Sequence, residues 1–170
     1  EFCQKCPAGK HSNITAASSV STCVGCGKGK YSPLAGSNSY LNCISCVKGK
    51  YNDRVGAASV DACINCARGK HSNVEALPSE SLCISCVRGK YSSVLGATSV
   101  DNCLECDAGK FSEVLGAISA ENCTLCERGK ASNATAASNH TTCLECEPGT
   151  FAESLGSDHC TECGQGKYST

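Results

Sequence analysis

Eighteen of the 170 residues are cysteine, and they fall in nine Cys-x-x-Cys pairs: Cys3/Cys6, Cys23/Cys26, Cys43/Cys46, Cys63/Cys66, Cys83/Cys86, Cys103/Cys106, Cys123/Cys126, Cys143/Cys146 and Cys160/Cys163. Thiols at this spacing support three chemistries: disulfide cross-linking, tetrahedral zinc binding and thiol–disulfide redox catalysis. Redox catalysis would need nine copies of one active site. Zinc-ribbon spacing is matched as well, but four-cysteine sites consume pairs two at a time, and nine is odd. Every interval between pairs also opens alike, with no period of two to separate bridged from unbridged loops. Disulfides are therefore expected, with no metal and no cofactor. A pairing that treats the repeats alike either closes each Cys-x-x-Cys on itself, a strained ring that tethers nothing, or joins each pair to the next. The second is expected: Cys6–Cys23, Cys26–Cys43, Cys46–Cys63, Cys66–Cys83, Cys86–Cys103, Cys106–Cys123, Cys126–Cys143 and Cys146–Cys160. Loops of this size are each worth roughly 3 kcal/mol in the chain-entropy account. Cys3 and Cys163 are left over and would pair with repeats beyond this segment, so the chain reads as a slice truncated at both ends.

Other reactive side chains are sparse. The four histidines, His11, His71, His140 and His159, sit in no nucleophile or metal motif, and no catalytic constellation is expected. Asn13-Ile-Thr, Asn133-Ala-Thr, Asn139-His-Thr and Asn122-Cys-Thr fit the N-glycosylation sequon. Asn122 is the weakest of these because Cys123 is held in a cross-link. The formal net charge of −1 hides an asymmetry: residues 1–90 carry 11 Lys and Arg against 5 Asp and Glu, and residues 91–170 carry 4 against 11. One repeat position holds eight of the basic residues, Lys10 through Lys130 in steps of 20 and then Lys167. Such a stripe could hold an acidic glycan; its interruption at Thr150 and the acidic second half argue against nucleic acid.

These residues need a scaffold that ordinary packing cannot supply. Val, Ile, Leu and Phe number only 28 of 170, with no Met or Trp. That share cannot build the core of a normal domain this size, and no apolar run approaches the ~20 residues of a membrane span. Cross-links must replace the core. The cysteine pairs recur every 20 residues seven times and then after 17, so the sequence predicts one continuous array over 1–170 of about eight small repeats without separate domains. Its fold class is small disulfide-rich repeats, mostly irregular with short β-strands and turns, in an elongated rod or solenoid-like tandem array without a large hydrophobic core. A glycine stands three residues after the second Cys of every pair, Gly9 through Gly149 and then Gly166, which implies a positive φ or no room for a Cβ. Two positions further comes a mostly aromatic or His row, and inside the pairs a Val24, Ile44, Ile64, Ile84, Leu104, Leu144 row. Both read as thin apolar ladders. A motif Ser-Asn-x-[Thr/Glu]-Ala recurs every 60 residues, at Ser12, Ser72 and Ser132, where most other repeats carry Gly at the Ala position.

The runs CVKGKYNDRVGAASVDAC (46–63), CVRGKYSSVLGATSVDNC (86–103) and CEPGTFAESLGSDHC (146–160) resemble the ephrin-receptor-like cysteine-rich repeats, relatives of tumour necrosis factor receptor modules. The resemblance extends over essentially the whole chain. It implies that the Cys opening each C-x-x-G-K-Y run pairs with the next Cys downstream, in agreement with the scheme above. The family's Pro after that Cys survives only at Pro7 and Pro148. The resemblance also implies a secreted or cell-surface location. Uniform repeats favour a structural role, as an extracellular, glycosylated segment of a large surface or filament-forming protein. Its expected partners are other copies of itself or of the parent protein, together with covalent glycans. A ligand-binding cysteine-rich receptor ectodomain is the alternative, and would require divergent loops.

Overall fold

The computed structural model describes residues 3–169. It is a tandem array in which each repeat is a two-stranded antiparallel sheet, most with a 3-10 turn, and no α-helix occurs among the described residues. One repeat explains the rest. After Cys46, the Lys50 N–H donates to the Val47 carbonyl at 3.2 Å and Gly49 lies at φ +76°. A positive φ at the third residue is what a type II turn demands, and glycine supplies it without a Cβ clash. The turn launches Lys50–Tyr51, which pairs antiparallel with Ile64–Asn65, Lys50 opposite Asn65 and Tyr51 opposite Ile64. Between these strands the Ser59 hydroxyl accepts from the Asp61 N–H and starts the 3-10 turn Val60–Ala62; the Cys63 N–H then closes onto the Val60 carbonyl. The serine four residues before Cys63 is thus a cap, repeated at Ser19, Ser39 and Ser79 and replaced by Asn139 near the end.

The chain divides into two compact units. The first runs up to Ala67 and adds His71–Ile84 and Leu95–Val100; the second comprises Arg68–Lys70, Ser85–Val94 and Asp101–Thr170. In the first unit, successive repeats are joined by backbone hydrogen bonds: Gly49 N–H to the Ser72 carbonyl at 2.9 Å, Asn52 N–H to Leu77 at 3.0 Å, and Ala76 N–H to Cys46 at 2.8 Å. In the second unit the same wiring runs Gly89 to Ser112 at 2.9 Å, Ser92 to Ala117 at 2.9 Å and Gly116 to Cys86 at 2.8 Å.

The interior is made of half-cystines and small residues. Cys26, Cys46, Cys66, Cys86, Cys106 and Cys126 are at most 1% exposed, accompanied by Ala57, Ala97, Ala117 and Ala137 and by the serines Ser32, Ser72, Ser92 and Ser112. Asn52 takes the serine position in one repeat and is fully buried. Its Nδ2 donates to the Lys30 carbonyl at 2.9 Å and its Oδ1 accepts from the Arg54 N–H at 3.0 Å. Among the described residues Leu77 is the one buried large aliphatic side chain, packed on Cys66 and Cys83 with Tyr51 alongside.

This corrects one expectation. The two apolar rows do face each other across the sheets, Tyr31 opposite Ile44 and Tyr91 opposite Leu104. The aromatic row is largely half-buried, but Val24, Ile44, Ile64, Ile84, Leu104 and Leu144 are 45–68% exposed. The cystine beside them fills the space a packed aliphatic would take. The 60-residue motif also acquires a physical reading. Ala16, Ala76 and Ala136 adopt φ of 54°, 54° and 52°, the left-handed conformation that Gly56, Gly96 and Gly116 adopt in other repeats. The dihedral is shared, whereas space for a Cβ varies. At Gly56 it would meet Gly25 at 3.8 Å, an ordinary contact, and at Gly96 it would run into the Asn65 Oδ1 at 2.7 Å.

The glycine after each cysteine pair answers to two constraints at once. A Cβ at Gly49 would overlap the Gly96 carbonyl, and one at Gly69 the Gly116 carbonyl, each 47 residues further on. At Gly129 nothing lies within 4 Å, although its φ is +80°. Gly129→Ala should therefore cost about 1–2 kcal/mol, the left-handed strain alone. Gly69→Ala should lower the thermal midpoint substantially further, because backbone must move. Equal midpoints for the two variants would contradict the close approach.

Candidate functional site

Eight disulfides join Cys6–Cys23, Cys26–Cys43, Cys46–Cys63, Cys66–Cys83, Cys86–Cys103, Cys106–Cys123, Cys126–Cys143 and Cys146–Cys160, with Cα–Cα distances of 5.5 to 5.9 Å. These distances lie within the range an unstrained bridge requires. Each bridge ties the turn that opens a repeat to the start of the next cysteine pair, which in the first seven follows the repeat's 3-10 turn. Cys3 and Cys163 are unpaired, the first exposed and the second half-buried. Among the described residues no group of three or more His, Cys, Asp and Glu stands ready to hold a metal ion.

The histidines do not converge. His11 and His71 occupy the aromatic row, and His71 is buried with its Nδ1 unpartnered. The His140 Nδ1 lies 3.0 Å from Glu113 Oε1 and its ring stacks edge-on against Phe111. The hydrogen bond from His140 holds the Glu113 carboxyl below its ordinary pKa. His159 contacts the adjacent Asp158. These are separate surface contacts between or within repeats.

The sequon asparagines differ in setting. Asn13 and Asn133 are exposed at the same turn, where the Ser12 and Ser132 hydroxyls accept from the Ile14 and Ala134 N–H groups at 3.3 and 3.4 Å. Asn139 is exposed and caps a 3-10 turn through its Oδ1, which leaves its Nδ2 free of that role. Asn122 is half-buried, and its Oδ1 accepts from the Ile118 and Ser119 N–H groups beside the Cys106–Cys123 bridge.

The lysine stripe has two chemical states. In the first unit Lys10, Lys30 and Lys50 lie opposite Gly25, Ser45 and Asn65, and among the described residues none has a carboxylate partner. In the second unit Lys90 meets Glu105 at 3.0 Å, Lys110 meets Asp107 at 2.8 Å, and Lys130 meets Glu127 at 3.6 Å. The acids enter at the second residue inside a cysteine pair, where the first unit has Gly25, Ser45 and Asn65, or just after the pair, where it has Gly27, Val47 and Ala67. Sequence reading found the stripe but not its neutralisation, although the acids stand one strand partner or three residues away.

Half-cystines closing every repeat, with no convergent catalytic side chains among the described residues, define a disulfide-stapled tandem repeat. Residues 19–63 match the family model described as "Tyrosine-protein kinase ephrin type A/B receptor-like". That stretch is similar to the ephrin receptor-like cysteine-rich repeats, and the tandem disulfide-closed repeats fit an extracellular cysteine-rich module. No curated protein matches the chain.

Two measurements check this geometry. Non-reducing peptide mapping should recover the eight bridges, and Cys6–Cys26 or Cys3–Cys23 linkages would contradict them. The second concerns Glu105, whose pKa is lowered by hydrogen bonds from Lys90 and then from Thr135, and by the Lys90 charge. A folded pKa below the unfolded value adds stability above the unfolded pKa and loses it as pH falls through the folded one. NMR titration should place the Glu105 midpoint below the usual carboxylate range. Lys90→Met should move it upward, and an unmoved midpoint would refute the pairing.

Proposed function

We propose that this array is a structural segment of an extracellular surface or filament-forming glycoprotein, and that it associates with other copies of itself or of its parent. The observation carrying this reading is where the aliphatic side chains lie. Every valine and isoleucine, and every leucine except Leu77, is exposed. Cystines and backbone hydrogen bonds hold the repeats, so the apolar surface remains available for contact. The opposite charges of the two halves add an attraction between copies, and exposed Asn13, Asn133 and Asn139 supply sites for N-linked glycan. Uniform repeats support this reading over a receptor ectodomain, whose ligand site would need divergent loops.

Light scattering and microscopy of native, full-length material across a salt series test it. Particles longer than a single chain are expected at low salt. They should shorten as the Debye length falls from ~10 Å at 0.1 M to ~3 Å at 1 M. Short, monodisperse particles at every salt concentration would defeat the assembly reading and favour the receptor-type alternative.

A further inference from the structure

The unpaired lysines of the first unit, together with the unpaired carboxylates of the second, carry a more specific inference. We propose that copies associate by unlike units: the first unit's lysine face docks on the acidic face of the second unit of another copy. This rests on the self-association reading above and names its surfaces.

Three observations carry it. The same repeat position is treated in opposite ways along the chain. Lys90, Lys110 and Lys130 are neutralised internally, whereas Lys10, Lys30 and Lys50 lie opposite Gly25, Ser45 and Asn65 with no carboxylate partner among the described residues. Exposed Lys28 and Lys48 add further charge in the same turns. With Lys90, Lys110 and Lys130 paired, the second unit still has Glu145, Glu147 and Glu162, all exposed and without an ion pair among the described residues. Glu145 and Glu162 sit opposite Lys130 and Thr150 across their sheets, the position that holds neutral Ser45 and Asn65 in the first unit. The two faces thus present opposite charge at matching places in the repeat. Within each sheet the charged positions share one face and the aliphatic positions, Ile44, Ile64 and Leu144, lie on the other with the aromatic row, so charge alone defines the proposed contact. Complementary charges at matching repeat positions set partner and register. A formal net charge of −1 leaves little general repulsion between copies.

A linear polyanion such as a sulfated polysaccharide would also meet the lysines. It would leave the free glutamates of the second unit without a role, so a second copy is the occupant the observations favour.

A charge-swap experiment on the full 170-residue chain separates these. One variant carries Lys30→Glu, Lys48→Glu and Lys50→Glu; a second carries Glu145→Lys, Glu147→Lys and Glu162→Lys; a third carries all six and keeps the net charge of −1. All six positions lie outside the cystines, and intact-mass measurement of eight oxidised bridges controls for folding. By sedimentation at low salt, wild type should associate. Each one-sided variant should weaken association by roughly tenfold or more, since like charges then face each other. An equimolar mixture of the two, and the six-fold variant alone, should recover it. Associating one-sided variants, or a six-fold variant that stays single, would overturn the unlike-unit pairing while leaving self-association standing. A wild type that remains at the single-chain mass of 17.4 kDa would remove the self-association reading itself. If it also bound immobilised heparin through Lys30, Lys48 and Lys50, the face would be a polyanion site and the pairing would be overturned.

Discussion

Everything in this molecule depends on a disulfide that joins the opening of one repeat to the start of the next cysteine pair. The chain has too few large apolar residues to offset backbone ordering at ~1–2 kcal/mol per residue. Closing each loop covalently removes much of that entropy from the unfolded state. The half-cystine then serves twice, as a cross-link and as the buried apolar body of the repeat. Cys66 and Cys86 are nearly inaccessible to solvent, whereas Ile64 and Ile84 beside them are outside.

Once the loops are closed, the repeats bind one another through backbone rather than side chains. Gly49, Ala76 and Asn52 contribute main-chain donors to carbonyls of neighbouring repeats at 2.8 to 3.0 Å. That arrangement explains why the post-cysteine position is so uniform: the turn needs a positive φ, and in Gly49 and Gly69 a carbonyl arrives where a Cβ would sit. The consequence for function is that side-chain identity on the outside is released from the demands of folding. Apolar residues and charges can vary from repeat to repeat at small cost, and the stripe lysines Lys10, Lys30 and Lys50 lack the carboxylate partners that Lys90, Lys110 and Lys130 have. Assembly, on the reading offered above, uses that freedom.

Much of this was legible in the residues. The period of 20, the glycine row and the small core follow from composition and spacing, because cysteine chemistry at fixed intervals leaves few alternatives. Short strands were readable from Gly, Ser and aromatic placement around each turn. The exposure of Ile44, Ile64 and Leu104 was not, since an apolar row inside a cysteine pair looks the same whether it packs inward or outward. Nor was the left-handed backbone at Ala16, Ala76 and Ala136, although the Gly at the matching place in other repeats was a signal. The ion pairs of Lys90, Lys110 and Lys130 escaped notice because they draw acids from different positions, Glu105 in one case and Asp107 and Glu127 in the others. Periodicity reveals what repeats share, and these contacts are where repeats differ.

The central claim is that the cross-links, not apolar packing, sustain the backbone network between repeats. Amide hydrogen exchange of Gly69 and Gly89 tests it most directly, since their N–H groups reach the Ser92 and Ser112 carbonyls at 2.8 and 2.9 Å. In the oxidised protein both should exchange slowly. After complete reduction at neutral pH without denaturant, both should exchange at the rate of an unstructured chain. Persistent protection in the reduced protein would contradict the account.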